Sequence, residues 1–162
     1  MAILNFILDV DGVLTDGKFW VSAEGKSHKC FGSHDADALG VLKGYLNVEF
    51  ITADHRGLAI SEARIVREMG YPLTLVPGRE RLVWLSERFD NADLIFMGDG
   101  LFDAPCLAYA KLGIAPPNSH PYALHAADYI TSNSGGSGAV SDACLFIDKH
   151  MGLDLFKEFA RV

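Results

Sequence analysis

Cysteine is scarce, with three residues in 162, and no two of Cys30, Cys106 and Cys144 stand at CxxC spacing. That excludes a disulfide framework and a structural zinc site, and it fits a reducing cytoplasm. Basic charge is also short: 14 Lys plus Arg against 21 Asp plus Glu give a net charge of −7. Without a basic block there is no electrostatic footprint for nucleic acid or an anionic membrane. Long hydrophobic runs are missing too. The apolar start, Ile3 to Leu8, is interrupted by Asn5, has no basic residues ahead of it and ends at Asp9, so neither a signal peptide nor a bilayer span is expected. Disorder is excluded from the other side, because 49% of the residues are hydrophobic and 10% aromatic. The expectation is one domain over residues 1–162 with a small-molecule partner.

What is present is alternation. Short apolar runs at Ile3–Asp9, Val48–Thr52, Leu73–Val76, Asp93–Gly98, Gly113–Ala115 and Asp128–Thr131 read as strands. Between them Ala59, Ala63, Val66 and Met69 recur at helical spacing before Gly70, and Leu82, Leu85 and Phe89 recur likewise. That order predicts an α/β fold with a mostly parallel sheet and helices on both faces. One stretch departs from it: Lys18–Ser22 and Lys26–Phe31 flank Ala23-Glu24-Gly25, which predicts a small β-hairpin inserted after the first strand. It carries Phe19, Trp20 and Phe31, which a two-stranded ribbon cannot bury alone; they pack either on their own domain or on a partner subunit. The run Ser134-Gly135-Gly136-Ser137-Gly138 reads as a loop leading into the last long helix.

The chemistry gathers at strand ends, where α/β sheets bind ligands. The first strand runs out in Asp9-Val10-Asp11-Gly12-Val13-Leu14-Thr15-Asp16-Gly17, and the fourth in Gly98-Asp99-Gly100-Leu101-Phe102-Asp103. Asp beside Gly is also an ordinary turn pair, so each segment alone fits a simple corner. If the two strands are neighbours, Asp9, Asp11 and Asp99 converge, and their mutual repulsion asks for a hard cation such as Mg²⁺. Asp103 either supports that group or caps the helix starting near Leu101. Thr52, closing the second strand, and Arg79 or Arg81, after the third, can supply donors to a phosphoryl oxygen. Other chemistries lack support. The glycine run misses nucleophile-elbow spacing at Ala139, Gly98-x-Gly100 misses the dinucleotide fingerprint, and the six histidines show no HExxH.

Taken together, the Asp-x-Asp, Thr, basic and Gly-Asp strand ends resemble the haloacid dehalogenase superfamily. DVDGVLTDG at Asp9–Gly17, FIT at Phe50–Thr52, Gly98-Asp99, and ADYIT at Ala127–Thr131 followed by GGSGAV at Gly135–Val140 resemble, within it, the capless 3-deoxy-D-manno-octulosonate 8-phosphate phosphatase family. The resemblance runs from about Ile3 to His150. It implies a three-layer Rossmann-like fold without a cap domain, the hairpin occupying about residues 17–31. It further implies a Mg²⁺-dependent phosphatase in which Asp9 is the nucleophile and Asp11 the general acid and base. By the same resemblance the ion is expected on Asp9, the Asp11 backbone carbonyl and Asp99, and the phosphoryl group on Thr52 and Arg81. The implied substrate is the phosphate ester of an eight- or nine-carbon α-keto sugar acid, and the implied assembly a homotetramer closed by the hairpin and the tail Leu153–Val162.

Departures from the family pattern stand out: Arg81 where Lys is usual, Thr52-Ala53-Asp54-His55-Arg56 in place of Thr-Gly-Arg, and Ser137 where a basic residue is common between the glycines. Gly100 also replaces a second acid. Asp54 sets an extra negative charge near an anion site, for which Arg56 is the expected compensation. The competing reading is a non-catalytic or regulatory oligomerisation module of the same fold, resembling the C-terminal domains of some sugar-nucleotide synthetases. The crowded pair Asp9 and Asp11 opposes it.

Overall fold

The computed structural model describes residues 4–160, so Ile3 and the last two positions of the tail lie outside the described residues. Its centre is β1 (Leu4–Asp9), in which side chains alternate between two apolar layers: Phe6 and Leu8 face one, Ile7 the other. The strands β4 (Leu46–Thr52), β5 (Leu73–Leu75), β6 (Leu94–Met97), β7 (Leu112–Ala115) and β8 (Tyr129–Ile130) complete a sheet of order β5-β4-β1-β6-β7-β8. Every adjacent pair in it is parallel. A parallel sheet must be covered on both faces, and β6 accordingly reads as an unbroken buried apolar run.

One covering layer holds α1 (His34–Val41), the helix α2 (Leu58–Glu62) with its π-helical continuation Ala63–Glu68, and α6 (Ala139–Met151). Leu39, Leu42, Ile65, Val140, Cys144 and Ile147 pack there on Phe6 and Leu8. The other layer holds α3 (Arg81–Arg88), α4 (Ala104–Tyr109) and α5 (Pro121–Ala126), whose Leu85, Cys106, Leu107 and Ala123 pack on Ile7, Ile51 and Phe96. Truncating a fully buried leucine such as Leu39 or Leu85 to Ala costs about 2–5 kcal/mol. The start of α6 lacks a cap from its own chain neighbours. Asp35 of α1 supplies one from a distance, its Oδ1 accepting the Ser141 N–H at 2.9 Å.

The hairpin is β2 (Thr15–Ser22) and β3 (Gly25–Phe31), antiparallel and separate from the main sheet. Its aromatics divide. Phe31 packs against its own domain's core, Phe19 is 41% exposed at the mouth of a cleft, and Trp20 is 70% exposed. Among the described residues no further domain interrupts the strand–helix order, and no helix is long and apolar enough to cross a membrane.

Candidate active site

The chain leaves β1 for β4 and β5 on one side, then returns to β6 on the other, so β1 and β6 flank the point where the strand order reverses. A crevice opens there beyond the carboxyl ends of the strands. It is a cleft of about 270 Å³ lined by Asp9, Asp11, Phe19, Arg81, Asp99 and Asp103, among others.

The segment after Asp9 turns at once. Leu14 and Thr15 donate their N–H groups to the Val10 carbonyl at 2.9 and 3.0 Å, closing a single tight turn. The buried Thr15 hydroxyl accepts the N–H groups of Gly12 and Gly17 at 3.2 and 3.1 Å, which fixes the loop from inside. Gly12 has φ +92°, and a Cβ there would collide with the Asp99 carboxylate. Glycine therefore serves both the left-handed turn and the approach of the β6 acid to the β1 loop.

Asp9, Asp99 and Asp103 each place a carboxylate oxygen within 4.8 Å of the others. Burial is the main cause that raises the Asp9 carboxyl to about 7, against the lowering effect of Arg81. Burial, then the charges of Asp9 and Asp103, raises Asp99 to about 8. Hard anionic oxygens gathered this closely, with their repulsion only partly relieved, fit a divalent cation of the Mg²⁺ type. Asp103 is engaged on both sides: Oδ2 accepts the N–H groups of Asp99 and Gly100 at 3.1 and 2.8 Å, and Oδ1 pairs with Arg81. It thus does both tasks the sequence offered for it, capping the turn at Leu101–Asp103 and bracing the acidic group.

Arg81 opens α3 and is only 6% exposed. Its Nη2 lies 2.7 Å from Asp9 Oδ1 and its Nη1 holds Asp103, so one guanidinium bridges two of the three acids. Burial lowers its proton affinity, but the two carboxylates outweigh that and the group stays firmly charged. Thr52 is buried where β4 ends beside β1; its hydroxyl oxygen accepts the Asp54 N–H at 3.1 Å, and Ala53 lines the cleft.

Asp11 is not in the acidic cluster. Its carboxylate turns toward the hairpin, where Lys29 Nζ lies 2.9 Å from each of its oxygens. Lys29 was not legible as a site residue, and it answers a question the sequence raised. The extra acid Asp54 is compensated not by Arg56 but by Lys26 at 2.6 Å and Lys29 at 3.0 Å, because the hairpin folds over that loop. Burial raises the Asp54 carboxyl, yet the hydrogen bonds of the two lysines prevail and hold it at about 2. The pleat offered a signal: Lys29 and Phe31 lie two apart on β3 and share a face, and Phe31 is apolar enough to point inward. Asn118 was also missed. Its amide donates to the Gly12 carbonyl at 2.9 Å and its oxygen accepts the Gly135 N–H at 2.7 Å, stitching the β1 loop to the glycine run.

A carboxylate cluster at the switch point of a parallel sheet, bridged by a strand-distal cation, defines a class, the haloacid dehalogenase-like hydrolases, and the family model of that description matches residues 85–143. The 3-deoxy-D-manno-octulosonate 8-phosphate phosphatase of Salmonella typhi is 30% identical over 148 residues, covering 85% of this chain and 75% of that protein. The Yersinia pestis enzyme of the same name is 31% identical over 143 residues, with the same coverage. Among solved structures, the Moraxella catarrhalis phosphatase of that name, in complex with magnesium, phosphate and KDO, matches with a TM-score of 0.83 at 29% identity. The match covers 98% of this chain and 92% of that one. The chain belongs to the 3-deoxy-D-manno-octulosonate 8-phosphate phosphatase family.

Proposed function

We propose that residues 1–162 form one phosphohydrolase domain that cleaves the phosphate ester of an eight- or nine-carbon α-keto sugar acid of the 3-deoxy-D-manno-octulosonate 8-phosphate type. The observation that carries the reading is the convergence of Asp9, Asp99 and Asp103 within 4.8 Å beside the buried Arg81. A non-catalytic module gains nothing from such crowding, and burying like charges costs stability.

In this reading Asp9, the Asp11 carbonyl and Asp99 would hold a Mg²⁺ ion, with Asp103 bracing the set. When bound it offsets the repulsion between the carboxylates and a phosphate dianion. Asp9 attacks phosphorus: an Asp9 O–P bond forms as the ester P–O bond breaks, and Asp11 gives its proton to the departing sugar oxygen. Asp11 then takes a proton from water, which attacks the aspartyl phosphate, releases phosphate and restores Asp9. Arg81 fixes the rotation of the Asp9 carboxylate through Nη2, while its Nε, buried without a protein acceptor among the described residues, is the donor left for a phosphoryl oxygen. The Thr52 hydroxyl is the second donor.

Tetrameric assembly and a cytoplasmic location belong to the same proposal, supported by the 70%-exposed Trp20 on the hairpin and by three unpaired cysteines. The test is phosphate release from a panel of sugar-acid phosphates with Mg²⁺. Turnover that stops with chelator and in Asp9→Asn supports the reading, and no release from any ester overturns it. Light scattering that finds a monomer at micromolar concentration removes the tetramer.

A further inference from the structure

The Lys29 side chain is wholly shielded from solvent, an uncommon position for a lysine on a surface ribbon. Its ammonium reaches both oxygens of Asp11 at 2.9 Å, Ser61 Oγ at 3.0 Å and Asp54 Oδ2 at 3.0 Å. Space for it is built in: a Cβ on Gly57 would come 2.7 Å from Lys29 Cε. With Lys26 on the other oxygen of Asp54, two cations and two carboxyl groups are linked across the hairpin, the β1 loop and α2. Each cation bridges two elements of the fold, so the linked set holds its members in one geometry.

We propose that Lys29 is a positioning residue for Asp11, gripping both its oxygens so that this carboxylate stays on the hairpin side of the cleft. The inference rests on Asp11 acting as the acid and base. Four carboxylates line one cleft, and a cation there attracts all of them. Lys29 removes one from that competition: Asp9, Asp99 and Asp103 remain grouped, and Asp11 is kept for the leaving oxygen. The hairpin thereby contributes to the chemistry as well as to the wall of the cleft.

The experiment compares two esters in Lys29→Gln, using kcat/KM, which reports the first step, phosphoryl transfer to Asp9. An alkyl phosphate such as a sugar-acid phosphate needs its leaving oxygen protonated; p-nitrophenyl phosphate does not. The expected result is a loss of about tenfold or more for the alkyl ester and less than about threefold for the aryl ester. Gly57→Ala, whose methyl group would press on both Asp54 Oδ2 and the Lys29 side chain while keeping every charge, gives the same selective loss and serves if Lys29→Gln fails to fold. Equal losses on both esters, or none, make Lys29 merely structural and overturn the proposal. Wild-type protein that releases phosphate from neither ester overturns the hydrolase reading itself, and this inference with it.

Discussion

Arg81 Nη2 stands 2.7 Å from Asp9 Oδ1, and both side chains are buried. Removing the cation leaves two shielded carboxylates facing each other. Arg81→Met is expected to lose at least about a hundredfold in kcat/KM and about 3–5 kcal/mol of stability. Arg81→Lys keeps the charge but replaces the fork that joins Asp9 to Asp103 with one point donor, and is expected to lose about tenfold. Phosphate release and urea unfolding measure both; a Met variant as active as wild type removes Arg81 from the site.

Asp99 comes close to the β1 loop only because residue 12 is glycine. Magnesium at millimolar concentration is expected to raise the wild-type Tm, since a ligand that binds only the folded state stabilises it. Asp99→Asn removes one ligand and, above about pH 8 where the wild-type carboxyl is ionised and the comparison is made, one repulsive charge. Its expected signature is a higher Tm than wild type without divalent ions and no further rise when magnesium is added. Differential scanning calorimetry reads both, and a full magnesium shift in Asp99→Asn places the cation elsewhere.

The Asp54 carboxyl titrates at about 2 when folded, below its ordinary 3.8. A depressed carboxyl stabilises the fold above its unfolded pKa and loses that contribution as pH falls through the folded value. The stability difference between wild type and Asp54→Asn is therefore expected to be flat, on the order of 1 kcal/mol, above about pH 4, and to fade between pH 4 and 2. Urea unfolding over that range reads it. A difference independent of pH means that the two lysines do not hold Asp54 as described.

Two glycines give opposite expectations. Gly135→Ala drives a methyl group into the Gly12 and Thr15 carbonyls, so it is expected to cost at least about 2 kcal/mol and most of the activity. Gly40 is exposed within α1, and a methyl group added there would meet nothing within 4 Å. Gly40→Ala is expected to gain about 0.5–1 kcal/mol with activity unchanged. Thermal unfolding of the pair separates close backbone packing from helix propensity.

The strands were legible because a parallel sheet buried on both faces leaves apolar runs in the chain, and Asp9 and Asp99 because acids that follow such runs stand out. The helices α1 and α5 were not read. α1 carries His34, Asp35, Asp37 and Gly40 within eight residues, and α5 is six residues opened by Pro121, so neither shows a sustained apolar stripe. Lys29 and Asn118 stayed hidden for another reason. Their partners lie 18 and 106 residues away, and a lone Lys or Asn announces no such meeting. The hairpin's location was plain from its turn; that it folds over Asp54 was not, because strand pairing says nothing of where a ribbon lies.

The glycine run presses its own backbone into that of the β1 loop, with Gly136 so near that a methyl there would sit 2.6 Å from the Asp16 nitrogen. A seam without side chains has no slack to give. Descendants of this chain that come to accept a bulkier or differently charged ester must make their changes where side chains form the cleft wall, at Phe19, Leu101 and Phe102, each of which can be exchanged singly.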